Sequence, residues 1–305
     1  MKVSVIMPAY KAKFIKEAIN SVLNQTFTDF ELIVVNDNSP EDIGSIVNSY
    51  TDSRIRYYKN EDNLGGVNLV DSWNKCLSYA VGDYVCLLCD DDIYHPDFLK
   101  TMVKMTMNYP DVDVFKARAR FVDAAGNTIG LYPSSPSFEI MEDYMWHCLK
   151  NLRAQTISEI FWKRSRLLEV GGFYKLPLAW YSDYMSVFVC GQKNGIVSTT
   201  DILVDFRLSG LNITSQTSKG AKLKIKAAGL FANAIKQMVK EQNFIYPKLV
   251  LDACSEKIKY DYSILLSNCT PIFLLYIVFN YKKMQIPKNA VVRGIYLFLK
   301  HKFNK

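Results

Sequence analysis

Residues 31–39 read ELIVVNDNS, an aliphatic run that ends directly in a polar turn. Residues 32–35 show no alternation of apolar and polar side chains, a pattern typical of a strand that is covered on both faces. The Asn, Asp and Ser residues that follow, together with Pro40, favour a turn. This stretch therefore predicts a buried strand of a parallel sheet, with polar side chains at its carboxyl end.

Short strands and amphipathic helices alternate on both sides of this stretch. Periodicity and turn residues predict strands at 3–7, 31–35, 54–58, 83–89, 112–115, 156–162 and 202–206. They predict helices at 13–24, 41–50, 67–80 and 181–194, a further helix that opens at Pro96, and irregular structure at 123–155. The alternation predicts an α/β fold of the Rossmann-like type, with an open, mostly parallel sheet flanked by helices.

Polar residues gather at the ends of three of the predicted strands. They are Pro8, Ala9 and Tyr10 after the first strand, residues 36–39 after the second, and residues 90–92 after the fourth. Ligands of open α/β sheets bind outside the carboxyl ends of the strands. The three clusters therefore predict one shared ligand site.

Three consecutive aspartates, Asp90, Asp91 and Asp92, favour a bound cation. Like charges this close raise one another's pKa unless a cation intervenes. Mg²⁺ and Mn²⁺ prefer carboxylate oxygens, and Mg²⁺ is commonly held by one or two carboxylates together with substrate phosphates. An Asp-rich turn that caps the helix near Pro96 is the alternative, and for Asp92 that alternative stays open.

Two further polar positions follow predicted strands. Asp37 ends the second strand, where a carboxylate suits the N–H of a base or a ribose hydroxyl better than a phosphate, although it also suits a plain turn. Asn63 precedes Gly65 and Gly66, which let backbone approach a ligand closely. A simple turn fits this second position equally well.

The composition of the 305-residue chain is that of a globular protein, with 49% hydrophobic and 22% charged residues. Its seven cysteines lack the paired spacing of a zinc site and favour a reducing compartment. The amino terminus has no signal-peptide pattern, and no apolar run reaches the roughly 18 residues that a membrane span needs. We therefore expect a cytoplasmic protein.

Basic residues are concentrated in the carboxyl-terminal part of the chain. Residues 219–305 contain 16 Lys/Arg and 4 Asp/Glu, whereas residues 1–218 contain 21 and 26. We expect one domain at 1–218, a mobile loop at 208–220 and a basic helical extension at 219–305. Residues 271–279 form an apolar run followed by lysines, which suits peripheral contact with an anionic membrane; a helical appendage packed on the first domain is the alternative. No nucleic acid partner is expected, because no recognition motif accompanies the basic residues.

Five segments together resemble the family 2 glycosyltransferases with the GT-A fold. They are VSVIMPAY at 3–10, SVLNQT at 21–26, ELIVVNDNS at 31–39, GDYV at 82–85 and DDDIYHP at 90–96. Each segment is modestly specific, but their order and spacing are highly specific. The resemblance implies an inverting enzyme of polysaccharide biosynthesis that transfers a sugar from a nucleoside-diphosphate sugar, with UDP the expected nucleotide. The acceptor would be a hydroxyl of a saccharide or of a lipid-linked acceptor, which suits a cytoplasmic protein peripheral to the inner face of the cell membrane.

The resemblance also implies roles for individual residues. It implies that the nucleotide sugar is bound by Pro8, Ala9, Tyr10, Asp37, Asn63, Asp90 and Arg207. Within this set Asp37 contacts the base, and Arg207 lies near the diphosphate. Asp91 binds the Mn²⁺ or Mg²⁺ ion, and Asp183 is the base that takes the proton of the acceptor hydroxyl.

Three positions differ from the family pattern: Cys89 in the metal motif, Asn36 at the end of the second strand, and Ser182 before the late aspartate. A non-catalytic nucleotide-sugar-binding protein therefore stays an alternative. A sugar-1-phosphate nucleotidyltransferase is a further alternative, although the Gly-rich phosphate loop that it needs is missing after the first strand, where Tyr10 and Lys11 stand.

Overall fold

The computed structural model describes residues 1–210, 220–284 and 286–303 of the chain, with side chains as far as residue 300. These residues divide into two compact units. The first unit consists of residues 1–144, 153–175 and 182–209, and the second contains residues 145–152, 176–181 and the described residues from Gly210 onward. The domain boundary predicted at 218 and most of the loop predicted at 208–220 lie outside the described residues.

All strands in the described part of the chain belong to one sheet of the first unit. Their bounds are Val3–Ala9 (β1), Phe30–Asn36 (β2), Ile55–Lys59 (β3), Tyr84–Leu87 (β4), Ile93–Tyr94 (β5), Val114–Val122 (β6), Thr128–Leu131 (β7), Phe138–Glu139 (β8), Ile160–Lys163 (β9) and Ile196–Arg207 (β10). Their order across the sheet is β3-β2-β1-β4-β9-β6-β10-β5, with β7 beside β6 and β8 beside β10. This sheet and its helices confirm the predicted α/β fold.

The helices account for most of the remaining described residues. Their bounds are Ile15–Leu23 (α1), Ile43–Asn48 (α2), Leu64–Ser78 (α3), Phe98–Asn108 (α4), Met141–Leu149 (α5), Arg164–Glu169 (α6), Ser182–Cys190 (α7), Ala221–Glu241 (α8), Pro247–Ser267 (α9), Pro271–Asn280 (α10) and Lys288–Phe303 (α11). Short 3₁₀ helices lie at Ile157–Glu159 and Pro177–Ala179.

The prediction of irregular structure at 123–155 is wrong, because β7, β8 and α5 lie there. The turn residues in this region mark a hairpin rather than a long loop. The Asp123 carboxylate accepts hydrogen bonds from the backbone N–H groups of Ala125 and Asn127, at 2.8 and 2.9 Å, and so closes the turn between β6 and β7. The predicted strand at 156–162 likewise begins as a 3₁₀ helix.

The first half of the sheet is parallel, as the sequence predicts. β1 pairs in parallel with β2 and β4, and β2 pairs in parallel with β3. Every residue of β2 is buried. Leu32 and Val34 belong to the core that also contains the apolar face of α1. Ile33 and Val35 are buried on the opposite face, since successive side chains of a strand point to opposite sides.

The second half of the sheet is mixed, and its pairing decides which segments reach the predicted site. β9 is antiparallel to both β4 and β6, whereas β10 is parallel to β6. The carboxyl ends of β1, β2, β4, β6 and β10 therefore lie at one edge of the sheet. The amino end of β9 lies at the same edge, together with the 3₁₀ helix that precedes it.

The second unit is helical in its described residues and contains α8 to α11. Cys254, Ile258, Tyr262 and Leu265 of α9 are all buried and recur at helical spacing, so they form one face of the helix. In the same unit the ring of Tyr181 stacks on Phe231 and its hydroxyl donates a hydrogen bond to Asp261. Among the helices of the described residues, none combines the length and the apolar character needed to cross a membrane.

A buried ion pair joins β6 to the 3₁₀ helix before β9. Lys116 Nζ lies 3.5 Å from Glu159 Oε1, and the two side chains are 2% and 0% exposed. The backbone N–H of Thr156 also donates to Glu159 Oε1, at 3.1 Å. Burial raises the pKa of Glu159 to about 7, although Lys116 and the Thr156 N–H oppose that rise.

The raised pKa of Glu159 should make the protein less stable as the pH increases. Folded Glu159 holds its proton up to about pH 7, whereas unfolded Glu159 loses it near 4.5, so the free energy of unfolding should fall between these values. The scale is about 1.4 kcal/mol for each unit of pKa difference. Glu159→Gln should remove this contribution. The free energy of unfolding of the variant, measured by urea denaturation, should therefore rise relative to that of the wild type between pH 5 and 8. Parallel stability profiles would contradict the assignment, and the exposed Glu61→Gln change is the control.

Candidate functional site

Asp90 is held by backbone groups at the end of β1. Its Oδ2 accepts hydrogen bonds from the N–H groups of Tyr10 and Lys11, both at 2.8 Å. Burial, reinforced by the charge of Asp91, raises the pKa of Asp90 to about 6 against the effect of these hydrogen bonds. The polar clusters at the ends of β1 and β4 therefore meet, as the sequence predicts.

Asp91 is also buried, with a side chain that is 6% exposed. Its Oδ2 lies 3.8 Å from Lys11 Nζ and accepts a hydrogen bond from the Ser209 hydroxyl at 3.4 Å. Burial raises the pKa of Asp91, and the nearby ammonium of Lys11 opposes that rise. The two contacts described for this carboxylate are longer than the hydrogen bonds of Asp90 and Asp92.

Asp92 is completely buried and ties three parts of the first unit together. Its Oδ2 accepts from the Ser158 hydroxyl at 2.6 Å, and its Oδ1 accepts from the Arg207 N–H at 3.0 Å. Burial and the charge of Asp91 raise its pKa well above the usual range. These hydrogen bonds go to the 3₁₀ helix and β10, so in the structure Asp92 connects strands and does not cap α4.

Arg207, at the end of β10, is buried and holds the backbone around the aspartates. Its Nε donates to the Asp91 carbonyl at 2.9 Å and its Nη1 to the Ala124 carbonyl at 3.1 Å. Its Nη2 forms an ion pair with Glu17 at 2.6 Å, and the guanidinium lies 4.3 Å from the centre of the Phe14 ring. The structure thus gives Arg207 a positioning role, while its contact with a diphosphate stays a prediction.

Asp37 receives three hydrogen bonds from the segment that follows β3. Its Oδ1 accepts from Asn60 Nδ2 at 2.7 Å and from the Leu64 N–H at 3.0 Å, and its Oδ2 accepts from the Gly65 N–H at 2.7 Å. A Cβ at position 65 would stand 2.8 Å from Asp37 Oδ2, so this close approach requires glycine. Asp37 is thereby fixed at the start of α3.

Asn63 and Tyr10 connect the remaining clusters. Asn63 is the N-cap of α3, since its Oδ1 accepts from the Gly66 N–H at 2.6 Å. Pro8 and Ala9 are the last residues of β1, and the Ala9 carbonyl accepts from the Asp37 N–H at 2.9 Å. The Tyr10 carbonyl accepts from the Ser39 hydroxyl at 2.6 Å, and the Tyr10 side chain is partly exposed. These hydrogen bonds connect the ends of β1, β2 and β4 with the start of α3 and with β10. We call this group the strand-end site; its residues are Pro8–Lys11, Glu17, Asp37, Asn60, Asn63, Asp90, Asp91, Asp92, Ser158 and Arg207.

Asp183 lies in the first turn of α7 and is half-buried. One of the groups near Asp183 is the Tyr132 phenol. Burial raises the pKa of Tyr132 most, and the charges of Glu159, Asp183 and Asp92 raise it further. Asp183, Glu159 and Asp92 therefore all act electrostatically on one phenol. The role of Asp183 as the base stays a prediction.

The residues of the strand-end site fit a hard divalent metal ion. Asp90 and Asp92 accept hydrogen bonds from backbone and hydroxyl donors, and Asp91 lies between them in the chain as a third carboxylate oxygen donor of the kind such an ion prefers. Burial raises the pKa of the Cys89 thiol well above its usual range, which keeps it a neutral group and a poor ligand for a hard cation. The set fits one ion held by Asp91, with its other ligands supplied by phosphate oxygens.

Four residues of the site are not predicted by the sequence patterns: Lys11, Asn60, Ser158 and Glu17. Asn60 could have been found, because it follows a strand just as the predicted clusters do. Ser158 carries no such signal, since only the pairing of β9 with β4 brings it to Asp92.

Comparison with known proteins shows similarity to glycosyltransferases. Residues 4–152 match the family model described as Glycosyl transferase family 2. Over 106 residues the chain is 36% identical to the Escherichia coli UDP-Glc:alpha-D-GlcNAc-diphosphoundecaprenol beta-1,3-glucosyltransferase WfgD, which covers 34% of this chain and 41% of that protein. The chain spans about half, or less, of the length of the curated relatives that it matches.

Two solved structures share the fold over nearly the whole chain. S. aureus TarS 1-349, in complex with UDP-GlcNAc, matches with a TM-score of 0.65 and 16% identity, over 100% of this chain and 93% of that one. The mannosyltransferase PcManGT from Pyrobaculum calidifontis, in complex with GDP-Man and Mn²⁺, matches with a TM-score of 0.57 and 14% identity, over 97% and 86%. Identities this low show the fold alone. Residues 4–152 thus resemble glycosyltransferase family 2, and the chain shares its fold with these two solved glycosyltransferases.

Proposed function

We propose that the protein is an inverting glycosyltransferase that moves a sugar from a UDP-sugar to a hydroxyl of a lipid-linked saccharide, in polysaccharide biosynthesis. The observation that carries the proposal is the strand-end site, where buried carboxylates, the backbone at the end of β1 and Asp37 lie at the edge of the sheet where ligands of open α/β sheets bind.

The donor nucleotide would lie along the end of β1 and the start of α3. Asp37 is fixed with its oxygens beside the first turn of α3, where it suits the N–H of a base. Pro8, Ala9, Tyr10 and Asn63 would border the nucleotide, and Asp90 would face the ribose and sugar. A solved structure of the same fold contains UDP-GlcNAc, which supports a nucleotide sugar as the ligand class.

The diphosphate would lie near Asp91 and Lys11. An Mn²⁺ or Mg²⁺ ion at Asp91 would offset the negative charge that develops on the leaving nucleoside diphosphate. Lys11 Nζ, 3.8 Å from Asp91 Oδ2, would add a second cation on the same side. Arg207 would keep the backbone of the aspartate run in place by its hydrogen bond to the Asp91 carbonyl.

Asp183 would act as the general base. In a single in-line displacement it takes the proton of the acceptor hydroxyl while that oxygen bonds to the anomeric carbon and the bond to the diphosphate breaks. The anomeric configuration is inverted in one such step.

The acceptor is proposed to be lipid-linked, and α10 is proposed to contact the membrane that holds it. The relative from E. coli is named for a diphosphoundecaprenol substrate. In α10, Ile272 and Phe279 are 81% and 83% exposed, and Lys282 and Lys283 follow the helix as exposed cations. Apolar side chains beside lysines favour an anionic bilayer surface. We therefore place the protein in the cytoplasm, peripheral to the inner face of the cell membrane.

Asp91→Asn should abolish activity that depends on Mn²⁺ or Mg²⁺. The change removes the negative charge that the ion requires, so release of nucleoside diphosphate from a panel of UDP-sugars should fall by about 10²-fold or more. Titration calorimetry should show weaker binding of UDP with Mn²⁺ and little change without it. The exposed Asp62→Asn change is the control. Unchanged turnover in Asp91→Asn would remove Asp91 from the site.

Asp183→Asn should spare donor binding and remove transfer. An amide cannot accept the acceptor proton, so transfer should fall by about 10²- to 10⁴-fold while the Kd of UDP with Mn²⁺ stays the same. The exposed Asp201→Asn change serves as the matched control. Full transfer by the variant would show that another group is the base. A wild-type protein that binds UDP-sugars but transfers to no acceptor would instead favour a non-catalytic binding protein.

Replacing the outward apolar residues of α10 should weaken membrane binding. Ile272→Ser with Phe279→Ser should reduce sedimentation with vesicles that contain phosphatidylglycerol, since both side chains lose their apolar contact. The pair Met107→Ser and Ile129→Ser removes exposed apolar residues from the first unit and should leave sedimentation unchanged. Equal sedimentation of both double variants and the wild type would reject the contact.

A further inference from the structure

A groove of about 540 Å³ lies within the second unit, between α8 and α9 and beside the turn that carries Met284 and Pro287. We call it the lysine groove, because Lys222, Lys226 and Lys236 line it and are all exposed. This volume is in the range of small-molecule sites. It lies among residues to which the proposed glycosyl transfer assigns no role.

The sequence of α8 explains the shape of the groove. Lys222, Lys226, Gly229 and Lys236 recur at helical spacing and share one face of the helix. Gly229 and the nearby Ala232 have little or no side chain, so they leave space between α8 and α9. A Cβ at Gly229 would meet only the Tyr262 hydroxyl, at 3.3 Å.

The floor and the edge of the groove differ in character. Ile225, Ile258 and Tyr262 line it and are almost fully buried, so its floor is largely apolar. Leu223 and Leu230 also line it but are 45% and 41% exposed, which leaves apolar surface uncovered beside the lysines. No Asp or Glu occurs among the described residues that line it, so the three ammonium groups are not neutralised within the groove.

This combination indicates the chemistry of an occupant. Three cations and no acid favour an anion, and an ammonium suits phosphate as a point charge. An uncovered apolar floor favours a hydrocarbon chain attached to that anion. A divalent cation is disfavoured because the lining residues offer no carboxylate.

We propose that the lysine groove binds an anionic phospholipid, with its phosphate at the lysines and the first part of its chain on the apolar floor. The charge of the carboxyl-terminal part of the chain favours such a ligand, since residues 219–305 hold 16 basic and 4 acidic groups. The site does not depend on the proposed transferase activity, because no donor or acceptor residue takes part in it.

The test uses short-chain lipids below their micelle concentration, so that no bilayer is present. Dihexanoyl phosphatidylglycerol should raise the Tm of the full chain, because a ligand that binds the folded state stabilises it. Dihexanoyl phosphatidylcholine, which carries no net charge, should bind at least tenfold more weakly. Inorganic phosphate at the same concentration should produce little or no shift, since it lacks the chain.

Two kinds of variant locate the binding. Lys222→Gln, Lys226→Gln and Lys236→Gln together should weaken phosphatidylglycerol binding by at least tenfold. Ala232→Phe, which fills the groove without changing charge, should weaken it similarly. The control is Lys240→Gln, Lys248→Gln and Lys288→Gln, which removes the same charge from exposed lysines that do not line the groove.

Several results would overturn the proposal. They are no shift with phosphatidylglycerol, equal shifts with phosphatidylcholine or inorganic phosphate, and equal weakening by the control lysine variant. Unchanged binding in Ala232→Phe, with the wild-type Tm retained, would also exclude the groove. Loss of vesicle sedimentation in the α10 variant leaves this test unaffected, because it uses no vesicles.

Discussion

The first unit depends on keeping the fully buried carboxylate of Asp92 supplied with hydrogen bonds. A buried carboxylate without partners costs many kcal/mol, so its two donors, Ser158 and the Arg207 N–H, are essential to the fold. Both donors reach Asp92 only because β9 runs antiparallel between β4 and β6 while β10 runs parallel to β6. The burial of Asp92 therefore depends on the strand directions in the mixed half of the sheet.

The same burial creates the conditions for binding a cation. The pKa values of Asp90, Asp91 and Asp92 are all raised, chiefly because the carboxylates are removed from water. Each bears its charge at a cost that Lys11 reduces for Asp91 but does not remove. A divalent ion at the proposed site would lower this cost further.

The sequence predicts the parallel half of the sheet and the position of the site because both depend on local patterns. The unalternating residues 32–35 imply a strand buried on both faces, and the polar residues after it imply a strand end. Asp183 is different, since without the family resemblance it looks like an ordinary aspartate at a helix start. Ser158 leaves no trace in the sequence, because its role arises from a strand pairing 66 residues away. The hairpin of β6 and β7 is missed because β7 is exposed along most of its length and has no buried face to reveal it.

In the second unit, large apolar side chains of α10 are exposed in the described part of the chain. A helix that is apolar all round is normally buried, yet Ile272 and Phe279 of α10 are more than four-fifths exposed. Exposed apolar side chains are unfavourable in water. The lysines of α8 and of the segment after α10 favour an anionic lipid surface as the partner of these side chains. In the proposed function the acceptor is held in a bilayer, and attachment to that bilayer would raise the effective concentration of the acceptor without any new contact in the active site. A weak catalytic preference for the acceptor would then be sufficient.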